Sequence, residues 1–222
     1  VLARKNKVVK LLTCGIKSSL KTLGVTVVTG DARIIDKTDE EVRVSVGEDT
    51  FAAKNLLIAT GSSPAIPPIP GLSDGLNAGF VLTNKEILAL SEVPESLVVI
   101  GGGVIGLEMA SYFNSVGSKV TIIEMLDHIA GENDKELTTI LQKNYEKKGI
   151  KFILGARVSD IGASSVSYIV NDESHTVDCD KVLLSIGRRA NTANLGLEDI
   201  GIETNRGAII TDEHMRTNVV NV

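Results

Sequence analysis

The chain has 222 residues, an apolar content of 43% and a formal net charge of −5 from 23 basic and 28 acidic side chains. Charges of both signs mixed along the chain, with an acidic balance, argue against a nucleic-acid or membrane-surface partner, and no apolar run is long enough to span a bilayer. The two cysteines, Cys14 and Cys179, lie too far apart in sequence for a disulfide framework or a zinc site; buried thiols and a cytoplasmic, reducing setting are expected.

The opening stretch, VLARKNKVVK, has too short an apolar run for a secretory signal and does not begin with Met. A lysine-rich helical stretch is expected from Lys17 to Leu23, then a strand in the segment Gly24 to Arg33. Val42-Arg-Val-Ser-Val46 alternates strictly and reads as a half-buried strand. Asn55-Leu-Leu-Ile-Ala-Thr-Gly61 reads as an apolar strand running into glycine. The run from Pro64 to Pro70 is stiff and extended, suited to a connection between domains. Val93-Pro-Glu-Ser96 is a second break.

Leu97-Val-Val-Ile100 reads as a buried strand, and Gly101, Gly103 and Gly106 follow it as G-x-G-x-x-G. Val104 to Val116 reads as a helix ended by Gly117, Lys119 to Ile123 as a second strand, and Glu124 stands at its end. In that order the pattern reads as a dinucleotide-binding turn rather than a glycine-rich structural turn in an ordinary α/β sheet. Gly101 permits the tight turn, Gly103 lets a pyrophosphate approach the backbone, and Gly106 lets the helix pack close to the sheet. The free N–H groups at the helix start face the phosphates. Glu124 is placed to accept hydrogen bonds from the adenosine ribose and to repel a 2′-phosphate. No Arg follows it in Met125-Leu-Asp-His-Ile129, so NAD(H) is expected over NADP(H).

A second helix is expected within Glu132 to Lys148, capped by Asn133 with Glu136 as its capping-box partner. Leu137, Ile140, Leu141 and Tyr145 would form its inward face, and Gly149 its C-terminal stop. Strands are expected in the segment Gly149 to Arg157, at Val166 to Val170 and at His175 to Cys179, with Asn171-Asp172 as a turn. Lys181-Val-Leu-Leu-Ser-Ile-Gly187 closes the series.

The order helix, strand, short β-meander, apolar strand and Gly thus occurs twice. The second copy has its own glycine turn at Gly101. A matching turn for the first copy would lie before Val1. Two stacked dinucleotide domains, and two cofactors exchanging electrons, are therefore expected.

Four stretches in order carry a resemblance: "NLLIATGSSPAIPPIPG" (Asn55–Gly71), "VVIGGGVIGLEMA" with Glu124, "GIKFILGARV" (Gly149–Val158) and "LLSIGRRANT" (Leu183–Thr192). With the ending "GAIITDEHMRTNVVNV", they resemble the flavin-containing pyridine nucleotide–disulfide oxidoreductases, and within them the dihydrolipoamide dehydrogenases. The resemblance runs through essentially the whole chain. It implies a Rossmann-like, three-layer ββα dinucleotide-binding domain inserted in a second, incomplete one. Residues 1–91 would be part of an FAD domain, 92–190 the NAD domain, and 191–222 the start of the return to the FAD domain.

By the same resemblance, Ala32, Thr60, Gly61 and Ser62 would lie against FAD. Gly101, Gly102, Gly103, Val104, Ile105, Gly106, Leu107 and Glu108 would hold the NAD pyrophosphate, with Glu124 on the ribose and Val158 and Gly187 lining the adenine and nicotinamide sides. Glu108 would also approach the nicotinamide; an acid near a helix start, favoured by the macrodipole, reads equally well there. The function implied is the NAD-binding region of a dihydrolipoamide-oxidising flavoenzyme, working through a cysteine pair and FAD. Its implied partner is the lipoyl carrier domain of a 2-oxo acid dehydrogenase complex or glycine cleavage system, and the parent would be a homodimer. The alternatives are another NADH-dependent flavin disulfide reductase, an NADH oxidase, or a free-standing nucleotide-binding module without turnover. The redox cysteine pair, the His–Glu pair and a flavin-contacting Asp would all lie outside this stretch. No catalytic role is expected for His128, His175 or His214, and the fragment alone is expected to be inactive.

Overall fold

The computed structural model describes residues 1–222. The chain divides into two compact units, one made of Ala3–Ser63 with Arg189–Val222, the other of Pro64–Arg188.

The first unit opens on α1 (Leu2–Thr22), which buries none of its residues. Gly24, at φ 68°, ends it by letting the Val25 N–H reach back to the Leu20 carbonyl at 3.0 Å. An antiparallel meander follows: β1 (Ala32–Lys37), β2 (Val42–Val46) and β3 (Asp49–Ala53). A small core sets Ile34 and Val42 of this meander against Leu197 and Ile202.

Of the strand expected in Gly24–Arg33 only Ala32 and Arg33 enter a strand, and none forms over Asn55–Gly61. Residues 24–31 and 54–61 join no ladder, and Val27 and Leu57 are 65% and 85% exposed. The cause is the kind of pairing. A parallel strand needs a neighbour delivered by a crossover, whereas a meander strand finds its partner across a short turn. β-branched residues without that neighbour do not make a strand.

The second unit is a three-layer α/β structure. After β4 (Ser62–Pro64), at the passage between the units, come α2 (Leu72–Asn77), β5 (Val81–Leu82), α3 (Asn84–Ile87), β6 (Ser96–Ile100), α4 (Val104–Ser115), β7 (Lys119–Ile123), α5 (Lys135–Lys147) and β8 (Lys151–Ile153). Then follow β9 (Arg157–Ile161), β10 (Ser165–Val170), β11 (Glu173–Asp178) and β12 (Lys181–Leu184). β13 (Arg188–Ala190) returns the chain to the first unit, which ends with a 3-10 turn at Glu198–Ile200 and the hairpin of β14 (Thr204–Asn205) and β15 (Ala208–Ile209).

The central sheet is parallel throughout, in the order β5-β12-β6-β7-β8. Its strands are apolar on both faces, as a parallel sheet covered on both sides requires. Along β6, Leu97 and Val99 enter one core with Leu107, Ala110 and Phe113 of α4. Val98 and Ile100 enter the other, with Val158, Ile161 and Val166 of the antiparallel β9-β10-β11 meander. That is the strand period of two written into one apolar run. Residues 64–91, placed by sequence with the preceding segment, pack within this unit: Val81 of β5 pairs with Val182 of β12.

α5 corrects two details of the sequence reading. Its cap is Asp134, whose carboxylate accepts the Glu136 and Leu137 N–H groups, while the Asn133 amide donates to the Ala130 carbonyl. The inward face is Thr138, Leu141 and Tyr145; Leu137 and Ile140 are 67% and 51% exposed. A helix with apolar residues at both 137/140/141 and 141/145 offers two overlapping stripes, and packing chose the one containing a buried threonine.

Candidate nucleotide-binding site

The glycine turn stands where three parallel strands end together. Beyond β6, the Gly101 N–H donates to the Ile123 carbonyl at the end of β7, at 2.9 Å. The Ser185 N–H, just past β12, donates to the Ile100 carbonyl at 2.8 Å, and its hydroxyl reaches the carbonyls of Ile100 and Gly101 at 3.0 and 3.1 Å. Ligands of open α/β sheets collect at such carboxyl ends.

Each glycine of the turn meets different surroundings. Gly101 has φ 104°, and a Cβ there would lie 2.6 Å from the Ser185 carbonyl oxygen. At Gly106 a Cβ would lie 2.2 Å from the Gly101 carbonyl oxygen, so its absence lets α4 press onto the strand end. Gly103 differs from both. Its φ is −74°, which any residue adopts, and a Cβ there would meet no protein atom within 4 Å. Folding places no demand for glycine at 103; the open space beside it does, once something occupies it.

α4 begins at this point with Gly103 as its cap and no side chain capping it. The N–H groups of Gly103, Val104 and Ile105 have no protein acceptor, and no acid stands in the first turn. Three free donors at the positive end of a helix dipole suit an anion.

Glu124 is fixed from two sides. Its Oε2 accepts the Gly102 N–H at 2.5 Å and its Oε1 the Leu126 N–H at 2.8 Å. Its own backbone is zipped to the following strand, with N–H to Ile153 carbonyl and carbonyl to Ala156 N–H, both at 2.9 Å. A carboxylate has about four lone-pair positions, so two stay available beside the turn.

A cavity of about 770 Å³ opens over these groups. It brings together Gly101, Gly103, Val104, Ile105, Glu124, Val158 and Gly187 of the sequence-derived set. Gly102, Gly106, Leu107 and Glu108 do not line it. Gly102 holds Glu124, Gly106 and Leu107 pack inward, and Glu108 is exposed on α4. The sequence reading missed Pro67, Ile69, Met125, Leu126, Gly131, Arg157, Ser185 and Ile186 as lining residues. Position directly after a central parallel strand was the available signal for Ser185 and Ile186. Across the turn, Ala130, at φ 62°, donates its N–H to the Gly102 carbonyl at 2.8 Å and so sets Gly131 at the cavity edge.

The residues assigned to FAD lie in the first unit. Ala32, Thr60 and Gly61 are exposed and Ser62 is half-buried. The Thr60 carbonyl accepts the Asn191 amide, and the Gly61 carbonyl the Asn191 N–H. These four residues by themselves form no enclosed cradle for a flavin.

A family profile described as "Pyridine nucleotide-disulphide oxidoreductase" matches residues 2–222. The chain belongs to the pyridine nucleotide-disulphide oxidoreductase family. It is 42% identical over 222 residues to a dihydrolipoyl dehydrogenase of Acholeplasma laidlawii, all of this chain matching 64% of that protein. A dihydrolipoyl dehydrogenase of Geobacillus stearothermophilus is 40% identical over 98% of this chain and 46% of its own length. Among solved structures, the flavoprotein disulfide reductase RclA of Escherichia coli superposes with a TM-score of 0.85 at 31% identity, over 99% of this chain and 50% of that one. LpdA of Mycobacterium tuberculosis gives 0.86 at 28% identity, over 99% and 49%. The chain thus spans about half to two thirds of the length of these family members.

The cysteines correct the functional reading. Dihydrolipoamide oxidation through a cysteine pair needs two thiols within disulfide reach. Here Cys14 is exposed on α1 of the first unit, and Cys179 is buried after β11 of the second. Burial pushes the Cys179 thiol up to about 11, away from the thiolate that exchange chemistry requires. No disulfide relay operates among these residues. No helix is long and apolar enough to cross a membrane.

Proposed function

We propose that the chain acts as the NAD(H)-binding module of a pyridine nucleotide-disulphide oxidoreductase, without disulfide turnover of its own. The observation that carries this is Gly103, a glycine needed neither for backbone conformation nor for protein packing, beside three free N–H donors and an open cavity. The Gly103, Val104 and Ile105 N–H groups would hold the pyrophosphate, and Glu124 would accept from the adenosine ribose. Val158 would line the adenine side and Gly187 the nicotinamide side. Glu108, exposed on α4, would act through the helix rather than by contact with the bound nucleotide.

When bound, the nicotinamide supplies hydride transfer. The protein's part is to orient the dinucleotide and keep water from it. The lining is largely apolar, with Pro67, Ile69, Val104, Ile105 and Ile186 among its side chains. A fixed carboxylate at the ribose disfavours a 2′-phosphate, so NADH should bind ahead of NADPH.

The inserted arrangement belongs to this reading. Residues 92–190 would form the NAD domain, with 64–91 packed into the same unit, and the rest of 1–91 together with 191–222 would contribute to a flavin domain of which Ala32, Thr60, Gly61 and Ser62 are part. The meanders β1-β2-β3 and β9-β10-β11 support it as corresponding parts of two related domains. Both bear a register irregularity in their first strand pair, at Ile34/Asp36 and at Ser167/Tyr168.

Calorimetric titration of the purified chain with NADH and NADPH tests the reading. NADH binding with NADPH much weaker supports it; binding of neither overturns it.

A further inference from the structure

The cavity wall holds two charged side chains, Glu124 and Arg157. Glu124 is engaged by the Gly102 and Leu126 N–H groups. Arg157 has neither an ion pair nor a side-chain hydrogen bond, whereas Arg33 pairs with Asp199, Arg43 with Asp36, and Arg188 donates to the Asn84 side chain. Its backbone is nonetheless well fixed. Arg157 begins β9, where it pairs with Ile169 of β10. The two residues before it are tied to the Glu124 loop, Gly155 N–H to the Leu126 carbonyl at 2.8 Å and Ala156 N–H to the Glu124 carbonyl at 2.9 Å. Arg157 is exposed, and its fixed backbone sets its unpaired side chain on the same cavity wall as Glu124 and the apolar Val158.

We infer that Arg157 is a specificity-determining contact for the adenine end of the nucleotide, its planar guanidinium lying against the base. This rests on the nucleotide reading above. A base attached to a ribose held by Glu124 projects away from the pyrophosphate, toward the strand that carries Arg157 and Val158. There an aromatic base offers a π face, and a weakly hydrated planar cation stacks on it better than an ammonium does. Val158 supplies the apolar floor. Glu124 offsets the cation's attraction for a 2′-phosphate, so the pair together favours an unphosphorylated adenosine.

The test is a calorimetric titration of the wild-type chain, Arg157→Ala and Arg157→Lys with NADH, ADP-ribose and NADPH. Circular dichroism first checks that each variant is folded. Arg157→Ala should weaken NADH and ADP-ribose alike, each by about fivefold, with Arg157→Lys restoring little of the loss. Unchanged NADH affinity in Arg157→Ala overturns the assignment. So does loss for NADH with none for ADP-ribose, which would put the cation at the nicotinamide half. A selective loss of NADPH binding would make Arg157 a 2′-phosphate contact and likewise overturn it. If the wild-type chain binds none of the three, the nucleotide reading fails first and this one with it.

Discussion

Gly102 and Glu124 are joined by a 2.5 Å hydrogen bond from the glycine N–H to Oε2, and a Cβ at Gly102 would sit 3.3 Å from the glutamate side chain. The turn that would face the phosphates and the acid that would face the ribose are therefore one mechanical unit. Removing the carboxylate should cost ligand hydrogen bonds and loosen the turn together. Glu124→Ala is expected to weaken NADH by about tenfold to a hundredfold, since a hydrogen bond to a charged acceptor is worth about 1.5–3 kcal/mol. Glu124→Arg should shift preference toward NADPH. A side-by-side titration measures both, and equal NADH affinity in wild type and Glu124→Ala would remove the ribose role.

Gly103 and Gly106 separate binding from folding. Gly103→Ala introduces a methyl group into open space at an ordinary φ, so its melting temperature should stay near wild type while NADH binding is lost. Gly106→Ala drives a methyl group into the Gly101 carbonyl and should destabilise the chain by about 1–3 kcal/mol, the range for overpacking. Thermal melts with and without NADH read both effects.

The thiols should divide by environment. Cys14 is exposed, whereas Cys179 is 5% exposed with its thiol pushed up to about 11. An aromatic disulfide reagent should titrate one thiol in the native chain and the second only after denaturant is added. Rapid reaction of both without denaturant would contradict the burial of Cys179.

Asp180 gives the pH dependence a sign. Its carboxylate accepts the Ser96 N–H at 2.8 Å and the Ser96 hydroxyl at 2.9 Å, tying the starts of β6 and β12 together. The Ser96 N–H, first, and the hydroxyl, second, hold its pKa below the usual carboxylate value. A depressed folded-state pKa gives stability that is full above the unfolded value, about 4, and lost as pH falls through the folded one. Asp180→Asn should therefore flatten the fall in urea midpoint between about pH 5 and pH 2. An unchanged slope would assign acid sensitivity to other carboxylates.

What the sequence made legible was local. The Gly101–Gly106 turn, the buried run Leu97–Ile100, the helix stop at Gly149 and the duplicated meander all follow from neighbouring residues. The less legible features depend on distant ones. Whether Val25–Val28 or Leu56–Ala59 forms a strand is decided by a parallel neighbour, not by their own β-branched content. Arg157 looks like an ordinary strand-edge cation until its strand is seen zipped to the Glu124 loop. The inward face of α5 turned on Thr138, a residue that hydrophobic patterning passes over.

The unburied helix α1 has a consequence for how the chain opens. Val8, Val9, Leu11, Leu12 and Ile16 stand exposed along it, so it holds by its own hydrogen bonds and its length of 21 residues. Amide protons of α1 should exchange with solvent at rates near those of an isolated helix. Those of β6, whose Leu97 and Val99 are 0% exposed, should exchange only through opening of the whole second unit. On warming, the helical signal of α1 should fade before the second unit opens.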